Sequence, residues 1–302
     1  MIVGSFGEAV KHIGELMSLY EKMRFNKAYV EITNVCNLDC PFCHGTKRVK
    51  RFMSVEEFRS AAEKLRPFTE YIYLHIMGEP LLHPELSDIL GVCASLGFRV
   101  SVTTNGTLLD EKIDILLSSS AMYRICVSLH SFEVNAKKTT LEKYIASVGN
   151  ASLKAKEKNV LFSMRLWNGG GDNSENGEIF RLISSFYPPP YRENARGTTL
   201  ADGVFIEYGE KFDWPDVDGH ERKVRFCMAL RDQIGVLCDG TVVPCCLDAD
   251  GEIPLGNIFT DDLTDIITSE RATTIINGFS DGKPSESLCQ TCGFAELRFG
   301  KK

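Results

Sequence analysis

Cys36, Cys40 and Cys43 fall within eight residues, directly after the alternating stretch 28–33. Thiolates are soft ligands that select zinc, copper(I) or iron–sulfur clusters, and a Cys-x3-Cys-x2-Cys loop can wrap around one such centre. Three ligands leave one iron open for a further group, which separates a reactive cluster from a fully ligated electron carrier. The competing reading is an incomplete zinc site, because structural zinc takes four ligands. His44 directly follows Cys43, and the backbone leaves it little room to reach back as the fourth. The spacing favours a cluster over zinc and leaves zinc open.

The rest of the chain must hold that loop in place. With 302 residues, 43% hydrophobic and 25% charged, it has the length and balance of a globular α/β protein that buries a core without staples. A net charge of −7 gives no basic footprint, so neither nucleic acid nor an anionic membrane is an expected partner. The basic stretch 47–51 is expected to be a solvated loop. No apolar run approaches the roughly 18 residues of a membrane span, and no signal-type N-terminus is evident, so a soluble, cytoplasmic protein is expected. Eleven cysteines in such a chain argue for metal chemistry in a reducing compartment rather than disulfides.

The order of elements follows from periodicity and caps. Residues 1–26 read as an amphipathic helical extension, with Val10, Ile13, Leu16, Met17 and Tyr20 at helical spacing. Strand-like runs at 28–33, 71–76, 98–103, 124–129, 160–167 and 204–208 alternate with helical segments. Ser54 and Glu57 form a capping box, Asp110 is read as a cap, and Thr139 with Glu142 as another box. Strands alternating with helices imply a parallel sheet with right-handed crossovers. Six units give a partial (β/α)6 TIM-like barrel over 27–210, with a small cysteine-rich α+β domain over 211–302. Chemistry in such folds collects at the C-terminal strand ends. There stand the cysteine loop, Gly78-Glu79-Pro80, Asn105, and Ser128 with His130. Stretch 168–203, with its glycine and proline triplets, reads as surface connections. His75, His83 and His130 each read first as satisfied structural histidines, with His130 the choice for a substrate-facing one.

The cysteine loop with Phe42 between its last two cysteines, and Gly78-Glu79-Pro80 closing the second strand, resembles the radical S-adenosylmethionine (SAM) enzymes. The resemblance implies that Cys36, Cys40 and Cys43 hold a 4Fe-4S cluster whose open iron is chelated by SAM. It implies that Phe42 contacts adenine and that Gly78 and Glu79, with Pro80 in the same motif, receive the SAM ammonium. Met77 stands where the family has a first glycine. Asn105, Ser128 and Arg165 are the implied ribose and carboxylate contacts; a cation inside the strand 160–167 needs an anionic partner to justify burial.

Farther on, Cys227, Gly240, Cys245 and the pair Cys289/Cys292 resemble the SPASM domain of these enzymes in its shorter, one-cluster twitch form. Those four cysteines would saturate a second, auxiliary 4Fe-4S cluster suited to electron relay, or would hold a structural zinc. Either Cys245 or the adjacent Cys246 could be the ligand. Related sulfatase-maturing enzymes carry an acidic base at the position of Cys246; a free thiol there could return a hydrogen atom to a substrate radical. Cys93, Cys126 and Cys238 read as core. The implied function is a radical SAM oxidoreductase acting on a small polar molecule or a peptide side chain, served by an external flavodoxin- or ferredoxin-type electron donor. The runner-up is an epimerase, and a zinc or cluster-binding module is the non-enzyme alternative. Glu207, Glu210, Asp213, Trp214 and Arg225 are candidate contacts between the two domains.

Overall fold

A computed structural model of the protein describes residues 24–135 and 139–300. The helical extension expected over 1–26 lies outside them up to residue 23. Five strands come first: β1 (Lys27–Val30), β2 (Tyr71–Tyr73), β3 (Arg99–Thr104), β4 (Met122–Ser128) and β5 (Leu161–Gly169). A second group follows: β6 (Arg192–Asn194), β7 (Gly197–Ala201), β8 (Val204–Glu210), β9 (Gln233–Val236), β10 (Thr241–Val243) and β11 (Gly256–Asn257). Together they form one sheet in the order β11-β10-β9-β1-β2-β3-β4-β5-β8-β7-β6. Its two ends do not pair with each other, so the barrel is open.

The run from β1 through β5 to β8 is parallel throughout, as the alternation requires. The helices α1 (Val55–Leu65), α2 (Leu86–Ser95) and α3 (Leu109–Ser118) cross between its strands, followed by a short α4 (Phe132–Asn135), then α5 (Leu141–Glu157) and α6 (Asn176–Ser184). The α1 start is the expected box: Ser54 Oγ accepts from Glu57 N at 3.1 Å, and Glu57 Oε2 accepts from Ser54 N at 2.8 Å. Its buried face is Phe58, Ala61, Ala62 and Leu65, which join β1 and β2 residues in the main core. Two caps differ from expectation. Leu108, not Asp110, precedes α3, and Asp110 lies in its first turn, where a carboxylate still complements the helix dipole. Thr140, not Thr139, caps α5, accepting from Lys143 N.

Residues 192–201 are also ordered differently from the connection expected of them. They form a β6–β7 hairpin that extends the sheet antiparallel to β8. Gly197 makes this possible: at φ +147° an added Cβ would stand 1.9 Å from the Ile206 carbonyl oxygen. At the other edge, β9 pairs in parallel with β1, matching Ala28 to Ile234 and Val30 to Val236, and β10 and β11 follow antiparallel. The cysteine-rich region is thereby hydrogen-bonded onto the first strand of the barrel. It is completed by α7 (Leu263–Thr268), α8 (Glu270–Ser280), α9 (Ser287–Gln290) and α10 (Gly293–Phe299). Among the described residues, no helix is long and apolar enough to cross a membrane.

Candidate functional site

The three-cysteine loop leaves the C-terminal end of β1 and is pinned from several sides. Gly78, at φ +77°, lets the end of β2 press against its start, for a Cβ there would lie 2.5 Å from Thr33 O. Glu79 N donates to Val35 O at 2.8 Å. Asn105 Nδ2 donates to Asn37 Oδ1 at 2.9 Å and its ring of contacts includes Thr107, which Asn37 Nδ2 also reaches.

Beneath the loop lies a buried ion pair. Glu31, with no solvent exposure, takes two hydrogen bonds from Arg48 Nη2 at 2.7 and 2.8 Å. The same carboxylate accepts from Met77 N at 3.0 Å and from Cys238 N at 3.2 Å. One side chain thus ties β1, the loop, the end of β2 and the turn after β9 together. Arg51 pairs with Glu57 at the start of α1, and Lys50 Nζ donates to Asn34 O. The basic stretch is a surface loop as expected, with Lys47, Val49 and Lys50 exposed, and its two arginines, Arg48 and Arg51, turn inward to fasten it. Asp250 closes the other side, accepting from Thr46 Oγ1 at 2.7 Å and Lys47 N at 2.9 Å and standing 3.2 Å from His44 Nε2.

A cavity of about 1070 Å³ opens beside this loop, bordered by Phe42, Cys43, Met77 and Gly78 and also by Cys227, Cys245, Cys289 and Cys292. Ser128, His130, Arg165 and Cys246 line it as well. Cys36, Cys40, Glu79, Pro80 and Asn105 do not border it. Glu79 is buried, and its two oxygens accept from Leu81 N at 3.0 Å and Asn105 N at 2.7 Å. Burial pushes its carboxyl up to about 7 against the pull of those bonds. Pro80 is buried at the start of the short 3-10 turn that Glu79 caps.

Arg165 lies over the Trp167 ring at 4.8 Å. Glu207 Oε2 is 3.5 Å from its Nε, yet that nitrogen makes no hydrogen bond among the described residues. The other oxygen of Glu207, Oε1, accepts from Arg124 at 2.7 Å and Ser163 at 3.0 Å, and Arg165 Nη1 donates to Thr103 Oγ1 at 3.4 Å. His130 packs its ring on Phe42 at 4.8 Å, and its Nδ1 stands 3.1 Å from Arg165 O. Burial depresses its pKa, so it is neutral. His83 is a satisfied structural histidine, its ring between Met53 O and Glu85 N. His75 is not: its Nδ1 is buried without a hydrogen-bond partner, and it borders the cavity. Sequence reasoning also passed over Lys27, Tyr29 and Tyr73, which stand on the same face of β1 and β2. The strand period of two was the available signal, since positions 27, 29 and 31 share a face, as do 71, 73 and 75.

Trp214 closes the wall between the two cysteine groups, donating from Nε1 to Phe42 O at 3.0 Å and stacking on His44. Glu210 and Asp213 also border the cavity, whereas Arg225 is exposed and does not. Cys93, Cys126 and Cys238 are buried, as expected of core.

The thiols fit iron–sulfur ligation by their chemistry. Cys40 is pushed up to about 12, by burial first and then by Cys43 and Cys36. Cys245 is raised by burial and then by Cys246, Cys227, Cys289 and Cys292. Thiols that raise one another's pKa repel as thiolates, and a bound cationic centre reverses that balance. Cys227, Cys289 and Cys292 all act on Cys245; Cys246 shares a hydrogen bond with the Tyr29 hydroxyl and also feels Cys227. Among the described residues no three His, Cys, Asp or Glu side chains converge as a single metal ion would hold them.

Comparison with known proteins gives two family matches: the Radical SAM superfamily over residues 30–183 and an iron-sulfur cluster-binding domain, SPASM, over 227–293. An uncharacterized protein of Methanocaldococcus jannaschii is 28% identical over 169 residues, 55% of this chain and 49% of that protein. A probable GTP 3′,8-cyclase of Saccharolobus islandicus is 35% identical over 105 residues, 34% of each chain. The match thus spans about half the length of the first and a third of the second. Among solved structures, BtrN in complex with AdoMet and 2-DOIA superposes with a TM-score of 0.53 at 18% identity, covering 89% of this chain and 92% of BtrN. Streptococcus suis SuiB bound to its precursor peptide SuiA gives 0.62 at 14%, covering 96% and 74%. These likenesses show a shared fold.

Proposed function

The chain belongs to the radical SAM superfamily, and from that membership we propose an enzyme that removes hydrogen from a small polar molecule or peptide side chain held in the cavity, with substrate oxidation as the net outcome. When bound, SAM with a 4Fe-4S cluster would supply hydrogen-abstracting radical chemistry, and an auxiliary cluster would supply an electron acceptor.

Cys36, Cys40 and Cys43 would hold the first cluster, and Cys227, Cys245, Cys289 and Cys292 the second. Phe42 offers a ring face for adenine, while Ser128 and Arg165, whose Nε has no hydrogen-bond partner among the described residues, offer a carboxylate its donors. Glu79 is a positioning residue: it fixes Asn105 N and the Pro80–Leu82 turn beneath the loop. Trp214, Ile76 and Met77 give the cavity an apolar wall that keeps water from a reactive radical. The observation that carries this reading is a cavity bordered by Cys43 of the first cysteine group and by all four cysteines of the second. BtrN with 2-DOIA and SuiB with its peptide are precedents, on this fold, for the two substrate classes.

One observation favours a second reading, epimerisation. Cys246 faces the cavity and, raised in pKa by burial, stays a thiol able to return a hydrogen atom to a substrate radical. The two are separated by turnover of candidate substrates in deuterium oxide with SAM and dithionite. A product lacking two hydrogens supports oxidation. A product of unchanged formula that carries one solvent deuterium, and is lost with Cys246→Ala, supports epimerisation. Absence of 5′-deoxyadenosine from a cluster-loaded protein overturns both.

A further inference from the structure

β1, β2 and the residues just after β2 present four side chains to the cavity: Lys27, Tyr29, Tyr73 and His75. The strand register sets Tyr29 against Tyr73, and their rings lie 5.1 Å apart. Lys27 Nζ stands 5.6 and 5.7 Å from the two ring centroids. No carboxylate among the described residues makes a salt bridge with it. His75 packs edge-on against Tyr29 at 5.5 Å, which leaves its buried Nδ1 without a partner.

A buried polar atom without a partner costs about 1–3 kcal/mol, and an ammonium held by ring faces retains its hydrogen-bonding capacity. This group is therefore built with donors to spare. The carboxylates that border the same cavity are engaged or exposed: Asp232, beside Lys27 and just before β9, accepts from Asn26 Nδ2, Asp248 accepts from Glu252 N and Ile253 N, Asp213 pairs with Arg222, and Glu133 and Glu210 are exposed. The groups acting on His75 are Arg165 and Lys27, both cationic, and with burial they hold its pKa down to about 3. The ring is therefore neutral, and in the tautomer that carries its proton on Nδ1 it is a donor in a positive field.

We propose that these side chains bind an anionic oxygen group of the substrate, a carboxylate or a phosphate, between Lys27 Nζ and His75 Nδ1. The proposal rests on the reading of the cavity as a substrate site and adds the chemical class of what enters it. Binding there would hold the far end of the substrate against β1 and β2.

The test uses the cluster-loaded full chain with SAM bound, so that Arg165 is occupied. Inorganic phosphate and acetate serve as probes, with chloride at equal ionic strength as control, and the melting temperature is followed. One probe is expected to raise it saturably. Lys27→Met and His75→Phe should each raise the half-saturating concentration about tenfold or more, as expected for losing one charge-assisted contact, while Lys27→Arg retains binding. Response to phosphate alone assigns a phosphorylated substrate, and response to acetate alone a carboxylate. No saturable shift with either probe, or the same shift in both variants, overturns the proposal. Formation of 5′-deoxyadenosine by the wild type, measured in parallel, tests the underlying enzyme reading separately.

Discussion

Glu31→Ala removes the one side chain that joins the cysteine loop to three neighbouring segments. The carboxylate is fully buried and receives four hydrogen bonds, two from Arg48 and one each from Met77 N and Cys238 N. Truncation leaves the Arg48 guanidinium, only 12% exposed, without its counter-charge, which costs about 3–5 kcal/mol. It also leaves two backbone N–H groups without an acceptor, at about 1–3 kcal/mol each. These terms share one pocket and do not simply add. A loss of about 5 kcal/mol is expected, a large part of the roughly 5–15 kcal/mol typical of a domain. Met77 N and Cys238 N bond different carboxylate oxygens, so Glu31→Gln keeps an acceptor for only one of them, and it should lose less than Glu31→Ala but still well over about 1 kcal/mol. Urea unfolding of the cluster-free chain, followed by far-UV circular dichroism, measures the loss. Hydrogen exchange at the peptides carrying Met77 and Cys238 locates it. A loss below about 1 kcal/mol, with exchange at both unchanged, would refute the view that this pair fastens the loop.

Glu79 gives a pH signature. Its pKa is raised in the folded chain to about 7 from 4.5, so its contribution to stability is fully present below pH 4.5 and is lost as pH rises to about 7. The difference of 2.5 units corresponds to about 3 kcal/mol. In the cluster-free chain, the stability of wild type minus that of Glu79→Gln should fall by that order across this window; a flat difference contradicts the assignment. Gly78→Ala meets Thr33 O at 2.5 Å with φ at +77°, so a loss of about 2–4 kcal/mol is expected in a thermal melt, with reduced iron retention at the first site. A wild-type melt would show that the backbone yields there.

Much of the barrel was legible because local signals agreed: Ser54 and Glu57 cap α1, apolar runs mark each parallel strand, and the motifs fall at their ends. The β6–β7 hairpin was hidden because β6 is exposed at all three positions and carries no alternation. Pairing of β9 with β1 joins segments about two hundred residues apart, and no local pattern encodes such a contact. The cysteines were readable by type and spacing, whereas the fastening role of Arg48 and the unsatisfied His75 depend on burial, which a charge run or a lone histidine does not reveal. Glu79 shows the reverse case: the motif was plain, yet its oxygens turn to Leu81 N and Asn105 N rather than into the cavity.

The central claim is that two separate iron–sulfur sites, of different ligand number, face one cavity. Iron and sulfide analysis of anaerobically reconstituted protein, comparing wild type with Cys36→Ala/Cys40→Ala/Cys43→Ala, tests it most directly. The variant should keep roughly half the wild-type iron and sulfide, held by Cys227, Cys245, Cys289 and Cys292, and lose the change that SAM produces in the electron paramagnetic resonance spectrum. Zinc with no residual iron in the variant, or a SAM response that survives the three substitutions, would contradict it.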